Sequence, residues 1–408
     1  MWRSTHPVWA MAFRPFYLLA ALWGAVAILL WGFGFQGTPS LSGLYWHAHE
    51  MIWGYAAAVV VGFLLTAVAT WTKQPPVRGR LLMALAGCWL LARTAALLPQ
   101  GAPWAGAAGT VFFLLALWGL GSAVWRSRNV RNYPTVLALA GFALSHTAFH
   151  LGSPPQSALT AGLMTVAGFI GLIGSRVIPF FTAKRLNTPS PPAAAWLNHA
   201  ALILPLTASV LMLRQNTSIA AAAAGMGCAG VAAVQLWRWH RRGIWREPLL
   251  WTLFVGYAFT SAGVAVTAAT AYRSAGIHLI AVGGIGLLTL SMMTRTALGH
   301  TGRPLYPAPS GLTAAFWLMT AAAVLRVVAT AFAGTAYLHG IRLSAVLFAL
   351  ALLLYGWRYL PCCLPLHCCC MDGVICRGCC ARVVTAKPVN FKKEESCGRI
   401  YSKKTLKF

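Results

Sequence analysis

The stretch Trp46-His47-Ala48-His49-Glu50 sets two imidazoles and one of only five acidic residues at the lip of a long apolar run, Met51 to Trp71. Ionisable groups at the edge of hydrocarbon are expensive, and those that persist there coordinate, conduct or pair with something. A second pair, His146 and His150, is spaced four apart, which on a helix puts both rings on one face within reach of one metal ion. His47 and Glu50, three apart, share a helix face with Gly54, whose missing side chain leaves room for a flat ligand. On a 3.6-residue period His49 points roughly 200° away from His47. The pentapeptide therefore reads as two half-sites rather than one chelate. Glu50 is placed to orient an imidazole through its ring N–H, as carboxylates beside metal-bound histidines do.

The elements that hold these residues follow from composition. The 408 residues are 59% hydrophobic and 9% charged, too much apolar surface for a soluble chain of this size to hide, so the bilayer is the expected solvent. Apolar runs of about 20 residues fall near 15–35, 45–71, 79–98, 103–125, 134–151, 157–182, 193–213, 217–237, 248–270, 276–298, 311–332 and 340–358. The expectation is an all-α membrane protein of twelve transmembrane helices, with no cleavable signal peptide. The net charge of +27 does not point to nucleic acid, because Arg and Lys occupy alternate connections: Lys73, Arg78 and Arg80, then Arg126, Arg128 and Arg131, then Lys184 and Arg185, then Arg238, Arg241, Arg242 and Arg246. By the positive-inside rule both termini are cytoplasmic and even-numbered spans run inward. Gly62-Phe63-Leu64, Gly168-Phe169-Ile170 and Gly284-Ile285-Gly286 each begin the inner half of spans two, six and ten, a spacing that suits three four-helix arcs.

Topology gives each polar residue a depth. His47, His49 and Glu50 open span two at the outer face, His146 and His150 close span five there, His278 opens span ten, and His339 precedes span twelve. Arg93, Arg326 and Arg342 are the cations inside spans away from the cytoplasmic ends, and Glu50 is the one intramembrane acid offered against them. A surplus of buried guanidinium implies an anionic partner, either haem propionates, which accept bidentate hydrogen bonds, or an anionic substrate. Residues 1–361 read as a single polytopic domain. Residues 362–408 change to a Cys- and Lys-rich composition with nine of the eleven cysteines. Cys376-x-x-Cys379 lacks a second pair at zinc-ligand spacing, and a frame slip or truncated gene end accounts for this segment better than a metal knuckle.

Several segments together resemble the NnrS family of bacterial inner-membrane proteins: Ala12-Phe13-Arg14-Pro15-Phe16, Trp46 to Met51, Gly62-Phe63-Leu64-Leu65-Thr66-Ala67, Arg131-Asn132-Tyr133-Pro134, Ser175-Arg176-Val177-Ile178-Pro179-Phe180-Phe181-Thr182 and Thr294-Arg295 through Arg303-Pro304. They run in order from residue 7 to about 361. The resemblance implies a multi-pass inner-membrane protein carrying haem and copper and acting in nitric oxide metabolism, denitrification or nitrosative-stress resistance. His47 with Ala48 and Met51 is also similar to the second-helix haem-ligand pattern of haem–copper oxidases and nitric oxide reductases. This makes His47 and His278 the expected axial pair, with Arg93, Arg326 and Arg342 at the propionates. His146 and His150 with His49 are the copper candidates, although imidazoles alone do not separate copper from zinc or a second haem. Redox chemistry would call for an electron-donor protein. A transporter or export factor for metal, haem or a small anion fits the same spans, as does a non-catalytic metal sensor.

Overall fold

The computed structural model describes residues 4–192, 194–214 and 218–363; the Cys/Lys-rich segment from Leu364 onward, with the expectation attached to it, lies outside the described residues. The helices are α1 (Phe13–Gly32), α2 (Gly43–Thr72), α3 (Arg80–Ala95), α4 (Ala102–Arg126), α5 (Tyr133–His150), α6 (Pro155–Leu186), α7 (Ala195–Arg214), α8 (Ile219–Trp239), α9 (Pro248–Ala269), α10 (Arg273–His300), α11 (Ser310–Ala329) and α12 (Gly334–Cys363). A helix lies on each expected apolar run, and ten of them are long and apolar enough to cross a membrane, making this a multi-pass membrane protein. The other two are α3, with 16 residues, and α5, with 18.

Short connections make sequence neighbours pack side by side, and α1 returns against α12, so the described bundle closes on itself. Within it α6 touches both α2 and α10, and α10 touches α2. The Gly62/Gly168/Gly284 similarity is not repeated in packing. A Cβ on Gly62 or Gly284 would strike the preceding helix, at Phe16 and Thr260, whereas Gly168 faces Leu202 on the following one.

Two features shape the end of the bundle at which α2 begins. A two-stranded hairpin, β1 (Gly37–Thr38) and β2 (Leu41–Ser42), bridges α1 and α2. Gly37 has φ +75°, and a Cβ there would lie 2.4 Å from the Leu41 carbonyl oxygen. The hairpin is tied to the α3–α4 connection, since Ser40 N–H donates to the Pro99 carbonyl and Ser40 Oγ accepts from Ala102 N–H. The second feature lies inside the helices: α2 is π-helical over Glu50–Ala56 and α10 over Leu279–Gly286. Each π segment starts on the residue after a singled-out histidine, His49 or His278. Single π turns inside α-helices concentrate where side chains must be re-aimed.

Candidate metal centre

The structure brings His49, His146 and His150 together, with one ligand nitrogen from each within 4.8 Å of the others. His49 comes from the start of α2, and His146 and His150 from the last turns of α5, where the i, i+4 spacing turns both rings the same way. Nε2 of His49 and Nε2 of His150 are 2.9 Å apart. Two imidazole nitrogens each about 2.0 Å from one tetrahedral ion would be about 3.3 Å apart, so this pair is close to the geometry of shared ligation. Both nitrogens of His146 are buried and have no hydrogen-bond partner. A buried imidazole with two idle nitrogens is costly, and an ion is the partner its chemistry suits.

Glu50 fixes this arrangement. Its Oε1 accepts from His49 Nδ1–H at 2.7 Å, so His49 directs a bare Nε2 toward the other rings. Its Oε2 accepts from Arg93 Nη1 at 3.1 Å and from Trp23 Nε1 at 2.7 Å. Glu50 and His49 are fully buried and Arg93 nearly so. This corrects the wheel-based assignment: Glu50 serves His49 rather than His47. The residue after His49 begins a π turn, whose smaller angular step points successive side chains closer together. Gly54 is corrected too. The space above it is taken by Arg93 Nη1 and Trp23 Nε1, which would lie 2.6 and 2.9 Å from a Cβ, so the glycine admits the partners of Glu50 rather than a flat ligand.

The rings of α5 rest on a glycine cradle in α4. A Cβ on Gly109 would sit 2.5 Å from Cε1 and Nε2 of His146, and one on Gly106 would sit 2.6 Å from Cγ of His150. Trp53, Phe113 and Phe149 wall the cluster with ring centroids 5.2–5.5 Å from the imidazoles or from one another. The Trp53 indole N–H donates to Ser145 Oγ at 3.3 Å. Sequence reasoning singled out none of Trp23, Gly106, Gly109, Trp53 or Phe149. The run Ala105-Gly106-Ala107-Ala108-Gly109 did carry a signal, because small residues three apart mark a face that another element approaches closely.

The remaining candidates lie elsewhere. His47 is half-buried and stacked on Trp31, with centroids 5.0 Å apart and planes 14° apart, and its buried Nδ1 has no partner. Nδ1 of half-buried His278 donates to the Ser274 carbonyl at 2.7 Å, which leaves its Nε2 bare. Arg326 lies near both rings, its Cζ is 5.8 Å from the centroid of the Tyr337 ring, and its buried Nη1 has no partner. His47, His278 and Arg326 lie near one another as a second cluster, apart from the trio. Arg93 belongs to the first cluster, where Glu50 compensates it, so it does not sit with Arg326 as a donor to a propionate. Arg342 and His339 are exposed and join neither cluster. Far along the helices, Arg176 donates to Asn132 Oδ1 and the Arg131 carbonyl. Arg295 donates to the Leu249 carbonyl and Tyr306 hydroxyl while stacking on Phe181 at 4.0 Å. Both arginines anchor helix ends.

Against this geometry, the family described as NnrS protein matches residues 7–365. The chain belongs to the NnrS family. The matched region takes in every residue of both clusters, the hairpin and both π segments. No curated protein matches the chain.

Proposed function

We propose that this NnrS-family protein is an inner-membrane haem–copper protein of the nitric oxide response, with copper held by His49, His146 and His150 and haem by His47 and His278 near the periplasmic face. The observation that carries the reading is the convergence of three imidazoles around His146, whose two buried nitrogens have no other partner. Family membership supports the nitric oxide context. Copper and haem, when bound, supply redox-active ions that ligate nitric oxide. The chain's own residues do the rest. Glu50 holds the His49 tautomer, Arg93 and Trp23 hold Glu50, Gly106 and Gly109 let the α5 rings seat, and Ser274 fixes the tautomer of His278. The free Nη1 of Arg326, beside both haem candidates, is placed to meet a propionate.

Twelve crossings and both termini cytoplasmic are part of the same reading. Contacts support α3 and α5 as crossings despite their lengths. Arg93 and Trp89 of α3 reach Glu50 and the Gly54 carbonyl near the start of α2. Just before α5, Asn129 reaches the Trp71 carbonyl at the end of α2, while His150 reaches His49 at its start. α5 with its lead-in thus spans the height of α2 between His49 and Trp71.

Purified protein is expected to show a haem spectrum and bound copper. His47→Ala or His278→Ala is expected to abolish or shift the haem spectrum, and His146→Ala to remove copper while haem stays. Wild type lacking both groups would overturn the reading. Accumulation of labelled metal, haem or anion in vesicles would then move the assignment to a transporter, for which the electrically balanced, tightly packed trio offers less support than for a resident ion.

A further inference from the structure

The charges around the histidine trio restrict the ion it can hold, an argument that rests on the copper reading above. We propose that the trio is built for monovalent copper in three-coordinate form, with the fourth position open to a small uncharged diatomic ligand, and that it discriminates against divalent zinc and cupric ions.

Three neutral imidazoles bring no negative charge to a cation. Among the described residues there are two carboxylates, Glu50 and Glu247, and Glu247 is paired with Arg185 elsewhere. Glu50 is adjacent to the trio, but Arg93 cancels it at 3.1 Å. The cluster is therefore close to electrically neutral before any ion enters. The cost of placing an ion in a low-dielectric interior rises with the square of its charge, so a divalent ion meets about four times the penalty of a monovalent one. Elsewhere a divalent ion on three histidines eases that cost with a fourth ligand, a water or hydroxide. Here the walls oppose it. Trp53, Phe113 and Phe149 present aromatic surface, the Trp53 N–H is spent on Ser145, and the Ser145 hydroxyl donates to the Phe142 carbonyl. Both oxygens of Glu50 are already engaged, Oε1 by His49 and Oε2 by Arg93 and Trp23. Monovalent copper carries half the charge and accepts three nitrogens without a further anionic ligand. An uncharged diatomic completes its coordination with no hydrogen bonds to replace and no charge to desolvate. Entry is through His150, the one partly exposed member of the trio.

The test is an anaerobic competition on the purified full chain. Cuprous ion is titrated against bicinchoninate, and zinc and cupric ions against chelators of matched strength. One cuprous equivalent is expected to be retained through gel filtration, lost in His146→Ala, and not displaced by a tenfold excess of zinc. Carbon monoxide added to the cuprous protein is expected to give one C–O infrared band that is absent from His146→Ala. Arg93→Met releases the charge of Glu50 to balance a second positive charge, and is expected to raise the affinity for zinc relative to cuprous ion at least tenfold. Arg93→Lys is expected to leave that ratio unchanged. Should Arg93→Met not fold, the wild-type competition and the infrared band still test the proposal. Zinc or cupric ion filling the trio at one equivalent against cuprous ion would overturn the choice of charge while leaving a metal centre in place. A cuprous protein without the band would overturn the open position. Failure of all three ions to bind would overturn this proposal together with the copper reading.

Discussion

Glu50 carries more of the site than any other side chain, because its two oxygens satisfy a histidine, an arginine and a tryptophan from three helices without exposure to solvent. Removing one member of a buried ion pair leaves the other charge unpaired, at a cost of about 3–5 kcal/mol, whereas removing both is far cheaper. Glu50→Ala and Arg93→Met are each expected to lower thermal stability in detergent by that order, and the double variant by clearly less than their sum. Additive losses in a double-mutant cycle would mean the pair contributes no coupling. The α4 cradle makes an independent prediction. Gly109→Ala forces a methyl to within 2.5 Å of the His146 ring, so bound copper per chain is expected to fall well below half. Gly87→Ala, whose Cβ meets nothing within 4 Å, is expected to keep full occupancy. Equal occupancy in the two variants would show that the cradle does not seat the ring. At this scale the sequence reveals the donors but not their partners. His146 and His150 declare themselves by spacing, and His49 by its neighbours. The partnership of Glu50 with His49 is hidden, because a 3.6-residue wheel does not describe a helix that changes pitch at that point.

The pitch change is a property of the element, and it occurs twice. The π segments of α2 and α10 both follow a histidine and both face α6. The two helices are joined by the hydroxyl of Tyr55, inside the π segment of α2, and Oγ1 of Thr289, just past that of α10, 2.6 Å apart. A hydrogen bond between membrane helices contributes about 0.6–2 kcal/mol. Tyr55→Phe and Thr289→Val are each expected to lower the unfolding free energy in mild detergent by an amount in that range. Because both substitutions break one bond, the double variant is expected to lose no more than the larger single one; fully additive losses would place the two hydroxyls in separate interactions. The helices themselves are legible in the apolar runs, since hydropathy reports backbone groups that must be satisfied within the segment. The hairpin at 37–42 and the π turns are not. They depend on Gly37 meeting the Leu41 carbonyl and on packing between α2, α6 and α10, contacts that no local pattern encodes.

For the whole molecule, the number of helices that cross the bilayer sets the level of every site residue. At 1.5 Å per residue, α3 is about 24 Å long against a hydrocarbon core of about 30 Å. Short helices cross when the bilayer thins locally or when flanking turns extend them, and α3 runs on through a turn from Ala96 to Gly101 before α4 begins. Contacts favour crossing. If α3 lay on one surface, Arg93 could not meet Glu50 near the start of α2 while Gly79, just ahead of α3, donates to the Trp9 carbonyl, close in sequence to Phe13, whose N–H meets Thr66 in the second half of α2. If α5 did, His150 could not reach the start of α2 when Asn129, just ahead of it, touches the end. Cysteines introduced at Gln100 and Val130, both exposed, separate the two counts in a background whose native cysteines are replaced by serine. With twelve crossings and the proposed cytoplasmic N-terminus, Gln100→Cys is expected to react with a membrane-impermeant maleimide from the periplasmic side and Val130→Cys only after permeabilisation. With ten crossings that omit α3 and α5, the two positions exchange sides, whereas the α5–α6 connection around Ser153 stays periplasmic under either count and serves as the control. The exchanged pattern would put α4 in the opposite direction through the membrane, carry Gly106 and Gly109 away from the level of His49, and dissolve the cradle on which the copper assignment depends.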